Sequence, residues 1–302
     1  MTYLVANGLP SADAGQRFRA LVARPGIIEI PGAYNGLAAQ QARAAGFECI
    51  YLSGAAMSAS MGLPDLGIIT VDDVSFFIRQ VVRASGLPVL VDGDTGYGEA
   101  LNVMHMVRTF EDCGAAAVHI EDQLLPKKCG HLDDKKLADA HDMAAKVAAA
   151  VRACRHLYVI ARTDAVASEG MDGAVARAKL YLEAGADAIF PEALTSADMF
   201  REFARRVDAP LLANMTEFGR TPFLTAGEFE KLGYKMVIWP VSALRVAAKA
   251  HEALYRAIRK DGGTQAMLEK MQTRAELYAT IGYGEYETLD RSIAQASGPE
   301  DR

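Results

Sequence analysis

Residues 42–54 read ARAAGFECIYLSG, a helical segment that ends at a glycine and passes directly into a short apolar run. The same unit recurs as VRASGLPVLVDGD (82–94), EDCGAAAVHIED (111–122), LEAGADAIFPE (182–192) and KLGYKMVIWPVS (231–242). In each unit the glycine fits the left-handed position that closes a helix. The apolar runs do not alternate with polar residues, which is typical of parallel strands buried on both faces.

Three further apolar runs, at Gly26–Ile30, Leu157–Ala161 and Ala209–Ala213, complete a set of eight predicted strands. Helical patterns fill the intervals, and three of them begin with a threonine followed by an acidic residue at the spacing of a capping box. These pairs are Thr70 with Asp73, Thr195 with Asp198, and Thr225 with Glu228. Eight strand–helix units favour a (β/α)8 TIM barrel over a doubly wound open sheet. The open sheet stays the alternative because a number of strands does not prove closure.

The segment from about 245 to 302 predicts additional helices that an eight-stranded barrel does not need. We expect this extension to pack on the barrel or on a partner subunit. We found no linker, low-complexity tract or second-domain boundary in the sequence, so residues 1–302 are expected to form a single barrel domain with this C-terminal extension.

Composition limits the classes of function. The chain of 302 residues has 51% hydrophobic and 23% charged residues, which is ordinary for a globular protein. A net charge of −6 argues against non-specific nucleic-acid binding. We expect no membrane span, since no run approaches 18 apolar residues, and no signal peptide at the N-terminus. Four widely spaced cysteines without a CxxC motif indicate a reduced, cytoplasmic protein.

Polar residues follow successive predicted strands, and in barrels of this type the active site lies at the carboxyl ends of the strands. A single carboxylate in such a position often only caps the next helix. Polar groups after so many successive strands are harder to explain by capping. They are Tyr51 and Ser53, Asp92 and Asp94, His119 and Glu121, Arg162, Thr163 and Asp164, Glu192, Asn214 and Thr216, and Ser242 and Arg245.

Asp92, Asp94 and Glu121, with Glu192 as a further candidate, are expected to converge at adjacent strands. Carboxylates that lie close together repel one another unless they are protonated or bridged by a cation. A donor set made only of oxygen suggests Mg²⁺, or Mn²⁺ as a substitute, rather than zinc. His119 lies inside an apolar run and is expected to be a core residue.

The long loop after the fourth strand carries PKKCGH, residues 126–131. Cys129 lies beside Lys127, Lys128 and His131, and such neighbours favour a reactive thiolate. Gly130 gives the loop the freedom to close over a substrate.

The alternative is an exposed loop with a chance cysteine, in which Lys127–Lys128 and Lys135–Lys136 merely form a solvated face. Cys49 and Cys113, by contrast, are expected to be buried packing residues.

Several motifs carry a resemblance to a known family: YLSG, GLPDLGIIT, DGDTGYG, HIEDQ, KKCGH, ARTDA, PEA, NMTEFG and MQTRAELY. From about Arg24 to Tyr286 the chain resembles the isocitrate lyase/phosphoenolpyruvate mutase superfamily, and most closely its methylisocitrate lyase branch. The KKCGH motif is typical of the carbon–carbon lyases and not of the phosphonomutases. Two departures, Ala55-Ala56 in place of two glycines and Leu132 in place of an arginine, put the precise substrate in doubt.

The resemblance implies a TIM barrel and a Mg²⁺-dependent lyase that cleaves 2-methylisocitrate to pyruvate and succinate. It also implies a homotetramer in which the last barrel helix is exchanged between subunits. Asp92 is then the principal metal ligand, supported by Asp65, Asp94 and Glu121, and Cys129 is the catalytic acid. The other implied site residues are Ser53, Gly54 and Ala55 at the pyruvate end, Arg162, Glu192, Asn214, Thr216 and Arg245, and the loop residues Lys127, Gly130 and His131.

The general base stays open among Tyr51, Glu192 and a metal-linked water. Three other functions stay open as well. The nearest is a sister lyase acting on 2,3-dimethylmalate, or an oxaloacetate decarboxylase, on the same site. A phosphonomutase or phosphonopyruvate hydrolase is disfavoured by the KKCGH motif. A catalytically inactive barrel that serves as a scaffold is disfavoured by the intact carboxylates and cysteine.

Overall fold

The computed structural model describes residues 2–5, 13–128, 130 and 135–296. Contacts divide the chain into two units. One is Pro10–Leu244, and the other consists of Arg245–Arg302 together with Met1–Leu9. The division falls at the residue where the sequence predicts the C-terminal extension to begin.

The larger unit contains eight parallel strands: β1 (Ile28–Pro31), β2 (Ile50–Leu52), β3 (Val89–Asp92), β4 (Ala117–Glu121), β5 (Tyr158–Thr163), β6 (Ala188–Pro191), β7 (Leu212–Asn214) and β8 (Met236–Trp239). They pair as two sheets in the orders β1–β8–β7 and β2–β3–β4–β5–β6. Parallel bridges between Gly32 and Tyr51 and between Ile189 and Leu211 join the two sheets at both edges. The ring therefore closes, and the predicted (β/α)8 barrel is confirmed over the open sheet.

Helices separate the strands: α1 (Ala14–Ala23), α2 (Gly36–Ala44), α3 (Gly54–Ser60), α4 (Val71–Ser85), α5 (Ala100–Asp112), α6 (Ala140–Ala153), α7 (Val166–Glu183), α8 (Ala197–Arg206) and α9 (Ala226–Lys231). The glycines predicted to close helices all have a positive φ: Gly46, Gly86, Gly114, Gly185 and Gly233. At Gly86 the φ of 66° aims the amide back at the carbonyl of Val82, 2.8 Å away, and this ends α4.

Two of the three predicted helix starts are confirmed. Thr70 and Thr225 each form a capping box with the acidic residue three positions later. The third prediction, at Thr195, is wrong by one residue. Ser196 has the extended backbone of an N-cap, and its hydroxyl accepts from the amide of Met199 at 3.2 Å. A hydroxyl caps a helix only from that position, because it must reach the amide three residues on.

Side-chain alternation sorts the buried residues into two clusters. Leu90 belongs to a smaller cluster that includes Ile30, whereas its neighbours Val89 and Val91 belong to the larger one. Successive residues of a strand point to opposite faces, so strands β2 to β8 contribute to both clusters. Both faces of these strands are therefore buried, which explains their unbroken apolar runs, whereas β1 has Glu29 exposed on one face. The predicted packing residues Cys49 and Cys113 are buried, with 0% and 5% exposure.

The smaller unit is helical. Helix α10 (Ser242–Asp261) starts three residues before the division and continues into this unit, followed by a 3₁₀ turn at Gln265–Lys270, α11 (Arg274–Thr280) and α12 (Tyr283–Ala296). The expected C-terminal helices are therefore present. In the described part of the chain, no helix has both the length and the apolarity needed to cross a membrane. Exchange of a helix between subunits stays a prediction.

Candidate active site

The carboxyl ends of β3, β4 and β5 bring charged side chains together. Asp92 ends β3 and pairs in register with His119 of β4, while Glu121 ends β4 and pairs with Arg162 of β5. Asp92, Glu121 and Arg162 are 6%, 1% and 8% exposed. Charged groups buried to this degree need partners, since an unpaired charge is costly to remove from water.

Asp92 accepts hydrogen bonds at both carboxylate oxygens. Its Oδ2 accepts from the amide of Gly54 at 2.9 Å and from the hydroxyl of Tyr51 at 3.3 Å. Its Oδ1 accepts from the amide of Asp94 at 3.1 Å. Burial by itself would raise the pKa of Asp92, but nearby positive charges and the Gly54 amide outweigh it and lower this pKa. Asp92 is therefore a fixed carboxylate.

His119 is in contact with this carboxylate, which corrects the expectation that it is only a core residue. It is fully buried, with its Nε2 2.7 Å from the hydroxyl of Tyr51 and 3.6 Å from Oδ1 of Asp92. Burial lowers the pKa of His119 to about 4, so the imidazole is neutral at pH 7. Burial, reinforced by the charge of Asp92, raises the pKa of Tyr51 well above its ordinary value. Tyr51 therefore keeps its proton and acts as a donor.

Lys127 places a cation among the acidic residues. Its Nζ is 2.6 Å from Oδ1 of Asp65 and 3.3 Å from Oδ2 of Asp94. Burial lowers the pKa of Lys127, but the surrounding carboxylates, Glu121 and Asp92 foremost, raise it by more, and the net shift is strongly upward. The alternative that Lys127 lies on a solvated face is wrong, because only 3% of the residue is exposed.

Arg162 joins the carboxylates of three strands. Its Nη1 is 3.0 Å from Oε2 of Glu121, and its Nη2 is 3.5 Å from Oε2 of Glu192. Its Nε and the same Nη2 donate to Asp164, at 2.9 Å and 3.1 Å. These carboxylates fix the orientation of the guanidinium. A planar guanidinium with a fixed orientation is suited to bind a substrate carboxylate.

Glu121 is the least satisfied member of this cluster. Its Oε1 is buried and accepts no hydrogen bond from any residue that the structure describes. Burial raises the pKa of Glu121 well above its ordinary value, against the opposing effect of Arg162 and Lys127. A buried acceptor without a donor points to a missing water or cation.

The predicted metal ligands fit a divalent cation in kind, because Asp65, Asp92, Asp94 and Glu121 offer only oxygen atoms. They do not form a ready-made cage. Within residues 2–5, 13–128, 130 and 135–296, no three Asp, Glu, His or Cys side chains stand at metal-binding spacing. Lys127 and Arg162 occupy several of the carboxylate oxygens, so a bound cation would have to share these oxygens or take them over.

The ends of β6 and β7 contribute two further polar side chains that are hydrogen-bonded to each other. Asn214 donates from Nδ2 to Oε2 of Glu192 at 3.1 Å, and its own Oδ1 is buried without a partner in the described part of the chain. Thr216, 7% exposed, follows Asn214 by two residues. The sequence therefore placed Glu192, Asn214 and Thr216 correctly at the strand ends.

The loop after β4 reaches this cluster at Gly130. A Cβ at Gly130 would stand 2.3 Å from Cγ of Glu192 and 2.7 Å from Nη2 of Arg162, so the backbone lies directly against both side chains. Cys129 and His131, the predicted neighbours of Gly130 in the site, lie outside the described residues.

Comparison with known proteins identifies the family of this chain. A family model described as phosphoenolpyruvate phosphomutase matches residues 18–259. The chain belongs to this family. It is 51% identical to the 2-methylisocitrate lyase of Halalkalibacterium halodurans over 98% of both chains. It is 50% identical to the 2-methylisocitrate lyase of Bacillus subtilis over 100% of both.

Solved structures support the same family. A crystal structure of 2,3-dimethylmalate lyase, described as a PEP mutase/isocitrate lyase superfamily member, matches with a TM-score of 0.88 and 35% identity, over 98% of this chain and 100% of that one. A phosphonopyruvate hydrolase complex with oxalate and Mg²⁺ matches with a TM-score of 0.84 and 30% identity, over 92% and 98%. The resemblance to the isocitrate lyase/phosphoenolpyruvate mutase superfamily is confirmed.

The other site residues, implied by the resemblance to the isocitrate lyase/phosphoenolpyruvate mutase superfamily, differ in where they lie. Ser53 is buried and caps α3, with its Oγ 3.4 Å from the amide of Ala56, and Ala55 lies in the first turn of that helix. Arg245 is exposed and belongs to the smaller unit.

Two residues in contact with the cluster, Asp164 and Lys135, have no site role in the sequence prediction. Asp164 accepts hydrogen bonds from Arg162. The alternative that Lys135 lies on a solvated face is wrong, because its Nζ is 2.8 Å from Oδ1 of Asp164 and its side chain is 5% exposed. The position of Asp164, two residues after Arg162 in the sequence, could have indicated that the two side chains pair. No local signal separated Lys135 from the exposed Lys136 beside it.

Proposed function

We propose that this chain is a carbon–carbon lyase that cleaves 2-methylisocitrate to pyruvate and succinate. The observation that carries the proposal is the buried cluster of Asp92, Glu121 and Arg162 at the strand ends, with the loop backbone of Gly130 lying against it. Identity of about half over the whole length with 2-methylisocitrate lyases from two organisms supports this substrate.

Asp92, Asp94, Asp65 and Glu121 would hold a Mg²⁺ ion, for which Mn²⁺ is a substitute. Two observations support this assignment: Oε1 of Glu121 has no hydrogen-bond partner among the described residues, and the pKa of Asp92 is lowered. The Mg²⁺ complex of a phosphonopyruvate hydrolase with the same fold agrees with it. When bound, the ion supplies Lewis acidity, which lowers the pKa of a substrate hydroxyl and neutralises developing negative charge.

Arg162 orients the substrate and stabilises the negative charge that develops on the pyruvate side. Its contacts with Glu121, Asp164 and Glu192 fix the guanidinium before any substrate arrives, so little reorganisation is needed in the transition state. Ser53, Gly54 and Ala55 would bind the pyruvate end of the substrate.

Glu192 is the side chain best suited to take the proton of the substrate hydroxyl. Tyr51 is poorly suited, because its raised pKa keeps it protonated and it already donates within the Asp92 and His119 group. Glu192 lies beside Arg162, and Asn214 donates to it at 3.1 Å, which orients the carboxylate. Asn214 and Thr216 would complete the wall around the substrate.

Cys129 would give a proton to the succinate carbanion. This assignment rests on the KKCGH motif and on the position of the next residue, Gly130, against Arg162 and Glu192. Lys127 and His131 of the same loop would bind substrate carboxylates together with Arg245. Proton transfer by a positioned group typically contributes about 10²–10⁴-fold to a rate.

The sister reaction on 2,3-dimethylmalate is the second candidate, because a 2,3-dimethylmalate lyase matches this chain over its whole length. The test is a panel of 2-methylisocitrate, isocitrate, 2,3-dimethylmalate and oxaloacetate, each incubated with protein and Mg²⁺ while release of pyruvate or glyoxylate is followed. We expect the highest kcat/KM with 2-methylisocitrate. A higher value with 2,3-dimethylmalate would replace the proposal, and no turnover of any of them would reject it.

We also propose a cellular setting. The described cysteines Cys49, Cys113 and Cys154 are free, which suits a reduced compartment such as the cytoplasm. A homotetramer with exchanged C-terminal helices, and a role in propionate catabolism through the 2-methylcitrate cycle, follow from the family resemblance. Gel filtration with light scattering would test the oligomeric state.

A further inference from the structure

Lys135 is buried at the far end of the loop that carries Gly130. Its Nζ is 2.8 Å from Oδ1 of Asp164 and also donates to the backbone oxygen of Gly130. The side chains of Lys135 and Asp164 are 5% and 0% exposed, whereas the adjacent Lys136 is exposed. One buried ammonium thus links two separate elements, the loop after β4 and the end of β5.

Asp164 is a fixed anchor for this link. Its amide donates to Oδ1 of Asp122 at 2.9 Å, and the hydroxyl of Thr163 donates to Oδ2 of Asp122 at 2.8 Å. Asp122 is itself fully buried, and Tyr181 donates to it at 2.9 Å. The backbone of Asp164 is therefore held by Asp122, the residue that directly follows β4.

The same carboxylate holds the guanidinium of the active site. Arg162 donates to both oxygens of Asp164, at 2.9 and 3.1 Å, while Lys135 approaches one of them. Asp164 therefore aligns Arg162 and, through Lys135, the backbone of Gly130. These two groups are neighbours in the site, because a Cβ at Gly130 would stand 2.7 Å from Nη2 of Arg162.

We propose that Lys135 and Asp164 are positioning residues, whose buried ion pair holds the backbone of Gly130 against Arg162 and Glu192. Neither residue is assigned to the reacting atoms, and their effect on the reaction passes through Gly130 and Arg162. The link to catalysis rests on the proposed function, whereas the seating of the loop does not.

The test replaces Lys135 by methionine, which keeps the length and apolar stem of the side chain and removes its charge. Limited trypsin digestion of the native protein, followed by mass spectrometry, gives the rate of cleavage after Lys128 in the same loop. We expect this cleavage to be at least about tenfold faster in Lys135→Met than in the wild type. Lys136→Met is the matched control and should leave the rate unchanged, and Lys135→Arg should restore most of the protection.

Kinetics supply the second readout. In Lys135→Met we expect kcat/KM for 2-methylisocitrate to fall at least about tenfold, with recovery in Lys135→Arg. A role limited to overall stability would lower the melting temperature but leave trypsin cleavage after Lys128 in the folded protein unchanged. That result would overturn the proposal. If Lys135→Met does not fold, Lys135→Gln takes its place in both assays.

The two proposals fail separately. If the wild type turns over no substrate, the proposed function is rejected and the digestion still tests the ion pair. If the wild type is active while Lys135→Met digests and reacts like the wild type, only the positioning role is rejected.

Discussion

Gly130→Ala adds a single methyl group at the point where the loop meets the site. The added Cβ would stand 2.3 Å from Cγ of Glu192 and 2.7 Å from Nη2 of Arg162. Carbon atoms in favourable contact are about 3.5–4.0 Å apart, so the loop backbone and the Glu192 side chain must separate by about 1.2 Å or more. Glu192 is held by Arg162 and Asn214, so we expect the loop to move.

We expect Gly130→Ala to lower kcat/KM strongly and to change the free energy of unfolding only slightly. A misplacement of about 1 Å at a catalytic group costs on the order of 10²-fold in rate, and we expect this loss in kcat/KM. Gly130 does not have a positive φ, so alanine causes no backbone strain there. The barrel is untouched, and we expect the free energy of unfolding to change by less than about 1 kcal/mol.

The assay is steady-state release of pyruvate from 2-methylisocitrate, beside a urea denaturation curve for each variant. Gly227→Ala is the matched control, because a Cβ at that position meets nothing within 4 Å and its φ is not positive. A stable Gly130→Ala protein with kcat/KM within about twofold of the wild type would refute the placement of the loop against Arg162 and Glu192.

Three further predictions concern other parts of the account. Cys129→Ser should fold and form the same oligomer while kcat falls by roughly 10²–10⁴-fold, because a serine hydroxyl is far too weak an acid to replace the thiol; near wild-type turnover would remove Cys129 from the mechanism. Asp92→Ala should weaken Mn²⁺ binding in isothermal titration calorimetry by at least about tenfold, and equal affinity would show that the metal lies elsewhere. Glu111→Gln should lower the free energy of unfolding at pH 7 by about 2 kcal/mol, because the buried carboxylate accepts three backbone amides from residues 155–157. Burial raises the pKa of Glu111, but these amides outweigh burial and lower the pKa in the folded state. The stabilisation is therefore present above the unfolded pKa of about 4.3 and is lost as the pH falls through the folded pKa. A stability difference between Glu111→Gln and the wild type that persists unchanged at pH 3 would contradict this cause.

Sequence reasoning was strongest where the pattern is local. The apolar runs predicted every strand to within a few residues because both faces of these strands are buried, as at Val89–Asp92. Strand ends were predicted less precisely. Cys49 was assigned to a strand but lies before β2, which begins at Ile50, since strand bounds depend on which backbone groups find partners in the neighbouring strand.

Contacts between residues far apart in the sequence could not be predicted from local patterns. Lys127 and Lys135 look like solvated surface in the sequence, but both are buried because their carboxylate partners come from other loops and strands. His119 looks like a core residue and is one, yet the register of β3 and β4 also places it beside Asp92. Composition and periodicity do not contain such pairings, which appear only once the barrel has closed.

The proposed cleavage of 2-methylisocitrate is the claim on which the roles of the site residues depend. The decisive measurement is the quantity of pyruvate and of succinate released from a known amount of 2-methylisocitrate, first in protein treated with a chelator and then after addition of Mg²⁺. We predict no release after chelation, and equal amounts of pyruvate and succinate once Mg²⁺ is restored. Full turnover in chelated protein would contradict the metal assignment. Absence of both products in the Mg²⁺-loaded, folded enzyme would contradict the assignment of this chain as a lyase for 2-methylisocitrate.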